Sequence, residues 1–308
     1  MSQFNNRVYG CAIIKAINSN YNADFSGQPR TLPNGDIYAT DKALKYTIRY
    51  FLKHVQNEPV LYFKRLTKES ITLDLIGLYN ELFSADVKKD KKEVVLKNLL
   101  SATDVRLFGA TFAPKGAGDS KNISIHGPVQ ITHAKNKFTD GTIYTEQIMA
   151  PFASPGKDGD AEAKKGNTTL GTQSKLDEGH YVHHFSVNPQ NIADHAERAE
   201  VDGLSEKDMD LLKEGLRKGA TFYDSAAKAG TENELLLWVQ LKEDSKAVMP
   251  SFVDLVEVGE DRKIDLAKIK DLLAQDHLKN EIEKVELYYQ KNATEIINAP
   301  EKAEHLAI

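Results

Sequence analysis

Apolar side chains return at helical spacing after Thr40: Leu44, Ile48, Phe51, Leu52 and Val55 fall at i, i+4, i+7, i+8 and i+11 and form one stripe. Thr40 suits an N-cap, and Asp41 puts negative charge in the first turn, where the helix dipole favours it. The pattern predicts a helix from Asp41 with that stripe facing a core. Ahead of it, residues 7–17 carry Val8, Cys11, Ile13, Ile14 and Ile17 in a β-rich run without clean alternation, the mark of an inner strand. Beyond it, a helix over about 68–83 buries Leu75, Ile76, Tyr79, Leu82 and Phe83. A capping box of Asp90 and Glu93 opens another, striped by Val94, Val95, Leu99 and Leu100.

Ile123, Ile125, Val129 and Ile131 alternate as one strand, with Gly127 and Pro128 marking a bulge or an edge. HYVHHFSVN, NELLLWVQL and FVDLVEV read as strands. Ser205 with Asp208 opens a helix that turns Met209, Leu212 and Leu216 inward. The chain closes with a helix over about 266–275 and a strand, EIEKVELYY, whose buried positions are Ile282, Val285, Leu287 and Tyr289. Two polar stretches interrupt this order. Residues 18–35 form a long Asn-, Gly- and Pro-rich loop, where Asn18, Asn20 and Asn22 offer amides to a ligand or to their own backbone. Residues 153–178 hold almost nothing to bury and read as an excursion from the sheet.

The order fits an α+β fold: a split βαβ, ferredoxin-like or RRM-like core with insertions. The expected layout is one domain over 1–308. Its core comprises about 7–55, 120–132 and 178–258, with a helical insertion at about 60–118 and an accessory helix and strand at about 262–290. Such a sheet commonly presents a surface to RNA, although fold alone does not set function.

Composition narrows the chemistry. With 308 residues, 41% of them hydrophobic, a substantial core is expected. The single Cys11, inside the first strand, excludes an internal disulfide framework and behaves as a small hydrophobe. No secretory pattern and no apolar run of about 18 residues is present, so a cytoplasmic protein away from membranes is expected. The formal net charge of -5 argues against a generic nucleic-acid binder, but it conceals a polarity. Residues 1–65 carry nine bases and four acids, whereas residues 243–308 carry nine bases and fifteen acids. One surface of such a molecule attracts a polyanion, and copies are helped to stack head to tail.

The basic residues of the first helix, Lys42, Lys45, Arg49 and Lys53, recur beside Tyr46 and suit a row of phosphates. The plain alternative is a solvated face with an Asp41–Lys45 pair worth about 0.3–0.5 kcal/mol. Arg106, among apolar neighbours, is either a paired arginine or a guanidinium held near phosphate with Phe108 ready to stack. In HYVHH, His180 and His184 share one strand face and His183 takes the other, without acidic or Cys ligands at familiar spacing. Nucleotide-loop, nucleophile-elbow and paired-Cys motifs are all missing, so no cofactor or metal is implied and the chain reads as a binder.

Four stretches, in order, carry a family resemblance: NSNYNADFSGQPRTLPNGDIYATDKALKYTIRYFL, DVRLFGATFA, SIHGPVQI and LSEKDMDLLKEGL. Together they resemble the backbone subunit of type I-B CRISPR Cascade complexes, a member of the RAMP superfamily, over most of residues 7–290. The resemblance implies an RRM-like palm, helical fingers, a projecting thumb, and copies assembled along one CRISPR RNA with other Cascade subunits. It places Lys42, Lys45 and Arg49 on a phosphate-contacting helix, Asn18 and Asn22 in a nucleotide-facing loop, and Arg106 and Phe108 in a further RNA-contacting segment. Lys164, Lys165 and Lys175 fall in the thumb. A subunit that accepts any guide binds phosphate and shape, leaving sequence to pairing with target DNA. Two other classes stay open: a RAMP-type RNA endonuclease using Asp36 or His180 and His184, and an assembly protein that binds no nucleic acid.

Overall fold

The computed structural model describes residues 2–153 and 167–308. In chain order the first elements are β1 (Val8–Ser19), β2 (Tyr38–Ala39) and α1 (Asp41–His54). A helical insertion follows: α2 (Leu75–Phe83), α3 (Lys92–Ser101) and α4 (Thr103–Phe108). Next come β3 (Gly109–Phe112), β4 (Ile123–His126), β5 (Val129–Ile131), β6 (Ala134–Asn136), β7 (Ile143–Ala153) and β8 (Asn167–Val187). Then α5 (Gln190–Ala199), α6 (Glu206–Phe222) and β9 (Thr231–Leu241) complete the central part. The remainder is β10 (Glu257–Val258), β11 (Ile264–Asp265), α7 (Ala267–Leu273), α8 (Asp276–Lys279), β12 (Ile282–Tyr289), β13 (Ile296–Ile297) and β14 (Ala303–Leu306).

The main sheet runs β14-β12-β9-β1-β8-β6-β2, with β5 and β7 also paired to β8. At its centre β9, β1, β8 and β6 are antiparallel neighbours, with α1 between β1 and β6 and α6 between β8 and β9. That is the strand order of a split βαβ. β1 is the inner strand its sequence predicts, because its side chains feed two cores. Val8, Ala12, Ile14 and Ala16 join the core with α1 and α6, whereas Tyr9, Cys11 and Ile13 join the core with α7, α8 and the accessory strands. A third core lies in the helical insertion, around Tyr79, Val95, Leu99, Phe112 and Ile125. Both faces of the central sheet are therefore covered, and its face does not serve as the open RNA platform that this strand order commonly supplies.

Several local expectations are corrected. The alternating run 123–131 is two strands: β4 pairs with β3 in a separate two-stranded sheet, and β5 joins β8. Gly127 breaks the run. A Cβ there would lie 2.1 Å from the Phe108 carbonyl carbon, so the chain can cross at that point only without a side chain. FVDLVEV holds one helical turn and the two-residue β10 in place of a full strand, because Phe252 and Val253 are buried through a turn. The helix expected from about 68 starts at Leu75, capped by Asp74, whose side chain accepts from Gly77 N–H at 2.8 Å. Asp90 accepts from the Tyr79 hydroxyl and caps nothing; the N-cap of α3 is Lys91. Val55 and Val94, placed on apolar stripes, are exposed. The stretch read as an excursion is strand from Asn167 onward: β8 pairs with β7 as a ribbon and enters the main sheet at Leu176, opposite Ser19. Lys164 and Lys165 lie outside the described residues.

Candidate nucleic-acid interface

α1 is anchored by Leu44, Ile48 and Leu52, all fully buried, and lies against α6 on the sheet. Its outer rim carries the basic row. Lys42 is exposed and forms no ion pair among the described residues. One turn on, Lys45 Nζ lies 3.1 Å from Asp41 Oδ2 and 5.6 Å from the centre of the Phe108 ring. After a further turn, Arg49 Nε donates to Asp104 Oδ2 at 3.0 Å, and the guanidinium stands 5.2 Å above Phe108 and 5.7 Å from Tyr62. Lys53 Nζ sits 4.4 Å from the Phe63 ring, and burial followed by repulsion from Arg65 holds its pKa below the usual lysine value. Three aromatic rings, Phe108, Tyr62 and Phe63, thus border the row.

The geometry reassigns several expected contacts. Phe108 is buried under Lys45 and Arg49, so it is the floor of the row and has no free face for a base. Arg106 answers to the plain reading. Its guanidinium donates to Asp208, to the carbonyls of Leu100 and Ser101, and to Thr103 Oγ1, which occupies all five N–H donors. It ties α4 to the start of α6, with nothing left for phosphate. Asp104 is buried and accepts from Leu61 N–H, Tyr62 N–H and Arg49, so Arg49 also holds the fold while keeping its two terminal amino groups unbonded among the described residues.

Asn22 faces inward. Its Oδ1 accepts from Thr40 N–H at 2.9 Å and from Thr40 Oγ1 at 3.0 Å, which fixes the loop to the helix start and uses the hydroxyl expected to cap α1. Asn18 is exposed with a positive φ of 47° and accepts from the Tyr144 hydroxyl at the foot of the ribbon. Lys175, on the ribbon, lies 3.0 Å from Glu146, whose carboxylate raises its pKa. The α1 row and its aromatic floor therefore form one group. Asn18 and Lys175 form another at the ribbon, and Arg106 belongs to neither.

The sequence reading missed what holds the loop. Asn20 is buried and donates to Gly27 O and Ser174 O. Lys228 Nζ donates to the carbonyls of Asn20 and Tyr21 at 3.0 and 2.5 Å, and burial lowers its pKa to about 8. A lysine 208 positions from Asn20 leaves no local signal.

The histidines are packed. His180 Nδ1 lies 2.6 Å from Glu234 Oε2, and Glu178 stands on its other side. His183 donates from Nδ1 to Thr132 O and faces the Tyr21 hydroxyl with Nε2, the pattern of a neutral ring; burial lowers its pKa to about 4. His184 Nδ1 accepts from Phe252 N–H, and burial likewise lowers it to about 4. Each ring is buried and engaged within the protein, whereas Asp36 is exposed and accepts from the Asn34 amide. Among the described residues no group of three or more His, Cys, Asp or Glu is placed to hold a metal ion, and no helix is long and apolar enough to cross a membrane. Cys11 is buried, and its thiol is pushed up to about 12.

The family model of CRISPR-associated protein Cas7 matches residues 6–277. No curated protein matches the sequence. Two similar solved structures carry the descriptions "CRISPR RNA-guided surveillance complex" and "CRISPR RNA-guided surveillance complex, pre-nicking". The first chain is 15% identical with a TM-score of 0.52, covering 97% of this chain and 94% of its own. The second is 13% identical with a TM-score of 0.58, covering 98% of this chain and 96% of its own. At these identities the likeness is one of fold, and it extends along nearly the whole of each chain.

Proposed function

This chain belongs to the Cas7 family of CRISPR-associated proteins, and we propose that it is the guide-holding backbone subunit of a type I-B CRISPR surveillance complex in the cytoplasm. Copies line up along one CRISPR RNA beside other Cascade subunits, grip its phosphates, and leave its bases to pair with target DNA. Cleavage is left to another protein. The observation that carries this reading is the outer rim of α1. Lys42 is exposed without an acid partner, and Lys45 and Arg49 are held over Phe108 with donors still unbonded among the described residues. A cation row on a rigid helix binds a strand of any sequence, because phosphates are common to all guides. Lys175 and Asn18 at the ribbon foot, together with Lys164 and Lys165, supply further contacts in the same reading, and Asn22 acts by fixing the loop to α1.

Lys42 and Lys45 are the residues to change, because Arg49 also satisfies the buried Asp104. Lys42→Gln with Lys45→Gln is expected to weaken binding to unrelated single-stranded RNAs alike. The slope of log affinity against log salt should flatten by about 0.7 for each lost phosphate contact. Titration at several salt concentrations measures both. Wild-type affinity and slope in the double variant would remove α1 as the RNA site.

A further inference from the structure

The start of β1 lies a full strand's length, about 40 Å, from the loop of residues 18–35. A cavity of about 130 Å³ opens there between Arg7, the first turn of α5 and the segment after β9. Three side chains on its wall are spent within the protein. Asn5 donates to Glu243 Oε1, Asn188 to Asn191 Oδ1, and Ser245 Oγ to Glu281 Oε2. Gln190 and Lys246, on the same wall, make no side-chain hydrogen bond or ion pair among the described residues. Asp244 is exposed at the rim and pairs with neither Arg7 nor Lys246.

Arg7 is half-buried, and its guanidinium carbon lies 5.2 Å from the centre of the Tyr9 ring, on the face of the sheet turned away from α1. Its Nε is buried without a partner, and its terminal amino groups are likewise unbonded among the described residues. Arg65 and Arg217 also bury an unbonded Nε, but their amino groups are engaged, by Glu81 and Val60 O in one case and by Glu214 and Ala307 O in the other. Arg7 has no such substitute. A guanidinium drawn partly out of water and left unpaired is costly, and one aimed into a cavity marks where an anion belongs.

We propose that this cavity is a carboxylate socket: an aspartate or glutamate side chain of a partner protein enters it, forks onto the Arg7 guanidinium and meets Lys246 and the Gln190 amide at the mouth. It does not depend on the RNA-holding reading. A carboxylate is favoured over a phosphate because a guanidinium held flat on Tyr9 presents the planar fork that a carboxylate matches, and because Asp244 at the rim repels a dianion more than a monoanion. The cavity is also well below the roughly 300–1,000 Å³ of sites for larger ligands, so it admits a carboxylate on its stem and excludes a nucleotide. A protein side chain is favoured over a free acid because Val248, close beyond Lys246, is exposed at 67%, an apolar neighbour of the kind that partner surfaces cover. The dipole of α5, whose first turn borders the cavity, favours the same charge.

The test titrates the full chain with acetate, inorganic phosphate, a blocked Ala-Glu-Ala peptide and its Ala-Gln-Ala counterpart. Arginine side-chain NMR follows the Arg7 Nε–H, assigned by its loss in Arg7→Gln, and the broadening of the peptide's own signals gives its affinity. The glutamate peptide is expected to shift the Arg7 signal saturably and to bind about tenfold more tightly than acetate, with no shift from the glutamine peptide. Asp244→Asn, at an exposed position, is expected to tighten the peptide severalfold. Arg7→Gln is expected to weaken it at least about tenfold while melting no lower than wild type, since no partner within the protein is lost. An Arg7 signal unmoved by either carboxylate would overturn the socket. Tighter binding of phosphate than of the peptide would overturn the carboxylate assignment, and equal binding of acetate and peptide would overturn the protein occupant in favour of a free acid. A lower melting temperature in Arg7→Gln with peptide binding kept would make Arg7 structural.

Discussion

Arg106 and Lys42 look alike in sequence, each a cation among apolar or helical neighbours, and the structure separates them by what lies within reach. Asp208 is buried, and besides Arg106 it serves the capping box of α6 through Ser205 N–H and Oγ. Removing Arg106 strands that carboxylate, and breaking such a buried pair costs about 3 kcal/mol. Arg106→Ala is therefore expected to lower the denaturant midpoint strongly while the folded fraction binds RNA as wild type does. Reduced RNA affinity with unchanged stability would reverse the assignment. At this scale the sequence reveals residue types but not partners, since a spacing of 102 positions separates Arg106 from Asp208. The same limit hid Lys228 beneath the loop. Phe108, expected beside Arg106 as a face ready to stack, lies instead under Lys45 and Arg49, a place that depends on α4 packing beside α1.

Elements with both a cap and a stripe were legible. α6 follows the sequence reading because Ser205 and Asp208 bond reciprocally and Met209, Leu212 and Leu216 are buried, two signals that agree. β1 was legible as an inner strand and β9 as a strand from their apolar runs. The run 123–131 misled because alternation specifies which face a side chain takes and leaves open which sheet the strand joins. Gly127 alone carried the break. A signal left unread was the pair Gly215 and Gly219, which brings α6 close to α1: a Cβ on Gly215 would meet Ile48 Cγ2 at 2.8 Å, and one on Gly219 would meet Thr47 O at 2.9 Å. On an isolated helix Gly→Ala gains about 1 kcal/mol. Here the added methyl meets backbone, and overpacking of this kind costs about 1–3 kcal/mol. Gly219→Ala is expected to give a net loss of stability in denaturant melts and, by displacing α1, weaker RNA binding. A stabilised variant with wild-type affinity would show that the two helices have slack.

At the scale of the whole molecule, both faces of the central sheet are covered among the described residues, so the proposed reading seats a strand on the α1 rim, the loop after β1 and the ribbon of β7 and β8. No one of these is large, and the chain as a whole carries a formal charge of -5, which repels a polyanion at long range. A single copy is accordingly expected to hold RNA weakly. What makes a strong assembly is repetition. In the proposed reading, once one copy is seated the next binds the same strand at high effective concentration, and the basic balance of residues 1–65 on one copy favours the acidic balance of residues 243–308 on its neighbour. Affinity should therefore climb with RNA length faster than the number of available sites, and native mass spectrometry should show complexes spaced by one chain mass of 34.3 kDa. The RNA is expected to be recovered intact after incubation with Mg²⁺ or Mn²⁺, free or paired with a complementary strand. Affinity that merely scales with site number would assign the strong assembly to other subunits. Regularly spaced cuts lost in Asp36→Ala would move the chain to the nuclease class, a role for which the buried His180 and His184 offer no accessible group.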